Sequence, residues 1–222
     1  MRAYFSLSAS WFVVAGLLAF GGCGKSGTDP AQTAASIPAA DGQTSNGNKA
    51  PVPKTPPEVV LDTSLGPITI RLNAEKSPKT VENFLAYVKS RFYDGTLFHQ
   101  VYKNQGIIGG AYTEGMVAKP ANIPILNEAH NGLKNQKYTV AMLREADNSD
   151  SATRVFFINA DDNPSFEFTA RTPEGYGYCV FGQVVQGMEV VDRIAAVEVH
   201  DIENIPCTPV QRVVINSAKQ IK

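Results

Sequence analysis

Short apolar runs separated by turn residues make up most of the chain from Glu58 to Ala218. Glu58-Val59-Val60-Leu61-Asp62-Thr63 and Ile68-Thr69-Ile70-Arg71-Leu72 flank Ser64-Leu65-Gly66-Pro67, and the second arm alternates apolar and polar positions, which predicts a β-hairpin. The next segment has the other period. Val81, Phe84, Leu85 and Val88 fall at i, i+3, i+4 and i+7, behind a Ser77 able to cap and a Pro78 suited to the first helical position, which predicts a helix. Tyr93-Asp94-Gly95 is a turn signal. Beyond it Leu97–Tyr102, Ile107–Ala111, Tyr138–Met142, Val155–Asn159 and Cys179–Val185 read as strands. Gly187 precedes a second short helix over Met188–Ile194, and Gln211–Ser217 forms a last strand. About eight short strands with two helices predict a mainly β domain, a barrel or a sandwich.

The pattern changes completely at the N-terminal end. An apolar run, Trp11 to Phe20, follows a short stretch carrying Arg2 and ends in Gly21-Gly22-Cys23, the order of a secretory signal segment. The run is shorter than the roughly 20 residues a spanning helix needs. A cysteine directly after two small residues resembles the lipobox of bacterial lipoproteins, with Phe20 where that motif usually has Leu. The resemblance implies that Cys23 is lipidated and becomes the mature N-terminus. Three acyl chains on one cysteine would exceed the roughly two signals that stable anchoring needs. From Gly24 to Pro57 the only large aliphatic residues are Ile37 and Val52, with no aromatic, so the stretch cannot bury enough apolar surface to offset its ordering entropy. The expected organisation is therefore a signal segment over 1–22, a lipidated cysteine and flexible tether over 23–57, and one domain over 58–219.

Composition removes several classes of function. The formal charge is −1 with no run of Lys or Arg, so the chain lacks the footprint of a nucleic-acid binder. There is no GxGxxG, GxxxxGK[ST] or GxSxG pattern. His99, His130 and His200 lack ligand spacing, and Asp147 to Asp150 and Asp161-Asp162 read as solvated loops, so no metal or other cofactor is expected. Cys179 lies in an apolar run and Cys207 in the loop Pro206-Cys207-Thr208-Pro209. An oxidising compartment permits a bond between them, but a buried thiol and a loop thiol is the favoured reading.

Read in order, Thr80-Val81-Glu82-Asn83-Phe84, Phe92 to His99, Asn127 to Asn135, Ser151-Ala152-Thr153, Phe156-Phe157-Ile158-Asn159, Gly177 to Gly182 and Gly187 to Asp192 resemble the cyclophilins, peptidyl-prolyl cis-trans isomerases, in their short bacterial form. The resemblance spans the whole domain and implies an eight-stranded antiparallel barrel with a helix at each end. It also exposes departures. Phe98-His99-Gln100 stands where the family has Phe-His-Arg. Asn104-Gln105-Gly106-Ile107-Ile108-Gly109-Gly110 stands where a Gly-Phe-Met-Ile-Gln-Gly-Gly run lines the proline pocket, and Val155 replaces a glutamine. By the same resemblance Phe157 matches the phenylalanine of the pocket floor, Phe166 stands near the pocket leucine, and Tyr178 stands where bacterial members carry tyrosine. Leu143-Arg144 falls in the stretch that contacts substrate backbone, and Ile108 in the rebuilt pocket wall.

Rotation about a peptide bond faces a barrier of about 18–20 kcal/mol, while the two X–Pro ground states lie within about 1 kcal/mol. An isomerase therefore needs a clamp on the ring and a donor to the twisted amide, with no nucleophile or cofactor. Gln100 in the arginine's place implies a slow isomerase acting on exported proteins, with Arg144 as a second possible source of charge. The alternative is a non-catalytic, membrane-tethered module that binds proline-containing segments of envelope proteins. Either way the expected partners are proline-containing polypeptides, the membrane is met only through the lipid anchor, and the chain is expected to be a monomer.

Overall fold

The structure, a computed structural model, describes residues 55–222 except 203 and 204, so the expected signal segment, Cys23 and almost all of the expected tether lie outside it. Ten strands and two α-helices follow in chain order. β1 (Glu58–Thr63) and β2 (Gly66–Leu72) form the expected hairpin, and α1 (Pro78–Lys89) follows. Then come β3 (Thr96–Tyr102), β4 (Gly106–Thr113), β5 (Thr139–Met142), β6 (Phe156–Asn159) and β7 (Val180–Gln186). α2 (Met188–Ala195), β8 (Val199–Ile202), β9 (Ile205–Pro209) and β10 (Val213–Gln220) complete the chain.

Eight strands close an antiparallel barrel in the order β1-β10-β3-β4-β6-β5-β7-β2. Alternation along each strand sends one set of side chains inside. Val59, Leu61, Ile68, Ile70, Phe98, Val101, Ile107, Val140, Met142, Phe156, Ile158 and Phe181 all join one buried core. α1 adds Val81, Phe84, Tyr87 and Val88 to it, and α2 adds Val190, Val191 and Ile194. Phe84 meets Phe156 edge-on with centroids 5.5 Å apart and Phe181 at 5.1 Å.

Three local expectations are revised. Ser77 does not cap α1 through its side chain. Its Oγ donates to Val180 O at 2.8 Å, and the free amides of the first turn go instead to Glu128: Lys79 N–H to Oε1 at 3.2 Å and Thr80 N–H to Oε2 at 2.9 Å. A carboxylate there also meets the positive end of the helix dipole, so the cap comes from 48 residues downstream. The segment around Cys207, expected as a loop, holds the two-stranded β8–β9 sheet, which packs against β3. Its burial pattern, largely exposed along β8, gave no periodicity to read. Lastly, Leu85 is only partly buried and Tyr87 takes the core position. Cys179 and Cys207 are both free thiols, as favoured. Cys179 is buried beside Thr80 Oγ1 at 3.4 Å, and burial pushes its thiol up to about 11, so it stays protonated and inert.

Candidate active site

Register places three of the expected site residues in one row. Gln100 on β3 is paired with Ile108 on β4, Ile108 with Phe157 on β6, and Phe157 with Ala141 on β5. Directly opposed residues share a face. Their neighbours Val101, Ile107, Phe156, Ile158, Val140 and Met142 all point into the core, so this row faces outward. A β-bulge between Phe98 and Gln100 shifts the β3–β4 register and lets both Phe98 and Val101 remain inside while Gln100 turns out.

The outer face is not bare at this row. Phe157 is only 3% exposed because Phe166 and Tyr178 stand over it, with ring centroids at 5.7 and 5.6 Å and interplanar angles of 81° and 86°. Phe166 and Tyr178 lie 5.0 Å apart at 65°, closing a three-ring cluster of edge-to-face contacts. Backbone bonds fix the two walls to each other. Tyr178 N–H donates to Phe166 O at 2.9 Å, and Asn135 Nδ2, itself buried, donates to Phe166 O at 3.1 Å and Tyr178 O at 3.2 Å. The turn that brings them together depends on Gly177, at φ +73°, where an added Cβ would lie 2.6 Å from Phe166 O and from the carbonyl carbon of Glu167.

Below this cluster Arg144, 7% exposed, is held by carbonyls. Its Nε donates to Gly177 O at 3.0 Å, Nη2 to Pro173 O at 2.7 Å, and Nη1 to Glu145 O and Ala146 O at 2.7 and 3.0 Å. Its guanidinium carbon sits 5.1 Å from the centre of the Tyr178 ring. Burial raises the Tyr178 hydroxyl above the ordinary tyrosine range, and the Arg144 charge opposes that rise. Leu143 is partly exposed, and its N–H bonds to Val155 O at 2.9 Å.

Gln100 at the other end of the row is also engaged. Its Nε2 donates to Tyr102 Oη at 2.9 Å and to Pro206 O of β9 at 3.2 Å. A primary amide has two N–H groups, so both are committed. Burial first, then the neighbouring Cys207 and Asp201, push the Tyr102 hydroxyl up to about 12, which keeps it neutral. Tyr102 and Pro206 did not emerge from the sequence: Tyr102 read as a strand residue, and Pro206 lies 106 residues from Gln100. Ile108, 4% exposed, forms the apolar stretch between Gln100 and Phe157.

Next to Gln100, His99 is buried against Tyr112 with ring centroids at 4.8 Å, and its Nδ1 has no hydrogen-bond partner among the described residues. Burial chiefly, with the Arg154 charge adding to it, lowers its pKa from 6.5 to about 4. Below pH 6.5 the unfolded chain takes up a proton that the folded chain refuses, so this contribution to stability is full above 6.5 and lost as pH falls toward 4. At about 1.4 kcal/mol per pH unit the loss is on the order of 3 kcal/mol. Thermal unfolding of His99→Gln should show a flatter dependence between pH 6.5 and 4 than the parent chain; equal slopes would rule the histidine out.

A groove of about 460 Å3 lies elsewhere, lined by Pro57, Arg71, Leu72, Lys134, Thr139 and Gln183 among others. Its strands, β2, β5 and β7, lie away from Gln100 on β3 in the barrel order.

Comparison with known proteins agrees with this geometry. The model of the family described as cyclophilin type peptidyl-prolyl cis-trans isomerase/CLD matches residues 58–220. A peptidyl-prolyl cis-trans isomerase of Streptomyces antibioticus is 52% identical over 161 residues, covering 72% of this chain and 96% of that protein. Peptidyl-prolyl cis-trans isomerase B of Escherichia coli is 46% identical over 139 residues, 63% of this chain and 84% of its own length. The crystal structure of a cyclophilin type isomerase from Cryptosporidium parvum, determined in the presence of the dipeptide Ala-Pro, shares the fold with a TM-score of 0.61 at 22% identity, over 72% of this chain and 96% of that one. With the closed barrel, the helices and the outward row on β3, β4, β5 and β6, these likenesses make the chain a member of the cyclophilin-type peptidyl-prolyl cis-trans isomerase family.

Proposed function

We propose that this domain is a slow prolyl isomerase for exported polypeptides, held at a membrane by lipid on Cys23. The observation that carries the reading is an aromatic cluster, Phe157, Phe166 and Tyr178, whose Phe157 lies in the same row as a donor whose N–H groups are already bonded to Tyr102 and Pro206. A proline ring is apolar and flat enough to seat against the partly exposed Phe166 and Tyr178 that stand over Phe157. As the X–Pro bond twists, the prolyl nitrogen regains a lone pair that a donor stabilises. Gln100 donates as a neutral amide, about half as strong as a charge-assisted donor, and it must first release Tyr102 or Pro206. Loss of one preorganised donor costs about 10²–10³ in rate.

Magnetisation-exchange NMR on a short Ala-Pro peptide should show the intact chain accelerating exchange, about 10²–10³ less than a relative that keeps the arginine. A rate no greater than the uncatalysed one rejects the isomerase. Cys23→Ser should release the chain from the membrane fraction, and unchanged membrane retention rejects the anchor.

A second reading, a tethered module that binds proline-containing segments without turning them over, is favoured by the committed state of Gln100. Saturable binding of the same peptide with no acceleration of exchange would select it. A tether raises the effective concentration of anything held near the membrane, so weak binding would suffice.

A further inference from the structure

We infer that Arg144 is the positioning residue of the proline pocket, acting through Tyr178 and the turn before it without touching the substrate; the inference rests on the pocket reading above. Burying a cation is costly unless it is paired and hydrogen-bonded. Among the described residues Arg144 forms no ion pair, and an apolar side chain would fill its space without that cost. What the guanidinium does that an apolar group cannot is join three pieces of chain at once: Glu145 O and Ala146 O on its own loop, Pro173 O and Gly177 O on the turn before Tyr178, and the face of the Tyr178 ring.

These contacts set the one pocket wall that belongs to no strand or helical turn. Tyr178 precedes β7 and is reached from a turn running from Phe166 to Gly177. Phe157, by contrast, is fixed by β6, and Phe166 by its short 3-10 turn, Pro164–Phe166. Without the guanidinium, Gly177 O keeps Asn127 Nδ2 at 3.2 Å, but Pro173 O loses its Arg144 bond and the ring loses its cation. The fork geometry matters here, since a lysine is a point charge on a flexible stem and cannot reach carbonyls on two loops together. Because Gln100 brings no charge to the substrate, ground-state binding falls chiefly to the aromatic walls, and so to the residue that orients one of them.

The test uses the isotope-labelled intact chain titrated with the Ala-Pro peptide, with Arg144→Ala and Arg144→Lys beside it. Both variants should bind about tenfold more weakly, with exchange at saturating peptide within about twofold of the parent, a split that falls on KM and spares kcat. The ring resonances of Tyr178 and Phe166 should shift while those of core Phe84 and Phe156 stay. Parental affinity with unmoved Tyr178 resonances overturns the inference, as does full affinity in Arg144→Lys, which would reduce the role to charge alone. If Arg144→Ala does not fold, Arg144→Lys decides by the same readings. If the parent binds no proline peptide, the pocket reading itself fails, and the Tyr178 resonances of the variants then support or overturn the positioning role on their own.

Discussion

Gln100→Arg is expected to raise the isomerisation rate about 10²-fold on a short proline peptide. Two strand spacings, about 10 Å, separate the backbone of Gln100 from that of Phe157 along the row through Ile108. An arginine at this position points the same way and spans more of that gap than a glutamine. It also removes the competition at Gln100, because a guanidinium has five N–H donors and retains some even if one stays with Pro206 O. Its charge strengthens each bond that forms as the prolyl nitrogen localises its lone pair. The comparison is magnetisation exchange in the parent and the variant at equal saturation. An unchanged rate would mean that the missing arginine is not the main defect, and would shift attention to the apolar Ile108 between donor and pocket.

The second large effect is expected at Gly177. A side chain there must hold φ +73° and bring a Cβ to 2.6 Å from Phe166 O and the Glu167 carbonyl carbon, and 2.7 Å from Phe168 N. These are backbone atoms and cannot turn aside. Gly177→Ala should therefore open the turn, break the Tyr178 N–H to Phe166 O bond and pull the carbonyl of residue 177 off Asn127 and Arg144. Left-handed backbone alone costs about 1–2 kcal/mol for an L-residue. Peptide affinity should drop by more than the tenfold expected at Arg144, because both walls move, and the melting temperature should fall with it. Parental affinity in Gly177→Ala would show that the turn does not set the pocket.

How much of this was legible depends on how far apart the cooperating residues lie. The β1–β2 hairpin and α1 could be read because their signals are local: alternation from Ile68 to Leu72, and a helical stripe from Val81 to Val88. Phe157, Phe166 and Tyr178 were reachable only through resemblance, since nothing in their spacing announces three rings in contact. The partners of Gln100 and the cap of α1 were not reachable. Pro206 and Glu128 are ordinary loop residues by pattern, and each acquires its role only when the barrel brings it across more than 40 residues of sequence. The β8–β9 pair was missed for a related reason, because a small sheet lying mostly in solvent has no buried face to impose a period.

The seam between β1 and β10 sets a condition on when this protein can exist as a folded object. Val59 faces Gln220 across that seam, and Ile221 N–H bonds back to Glu58 O. The first strand of the domain thus waits for the last residues to be made before it gains one of its two neighbours. Contacts of such long sequence separation form slowly, since the closure entropy is met before the pairing energy returns it. Until β10 pairs with β1 the barrel therefore stays open. For a chain exported as proposed above that delay is useful, because an unclosed chain is the form that can be threaded through a narrow channel.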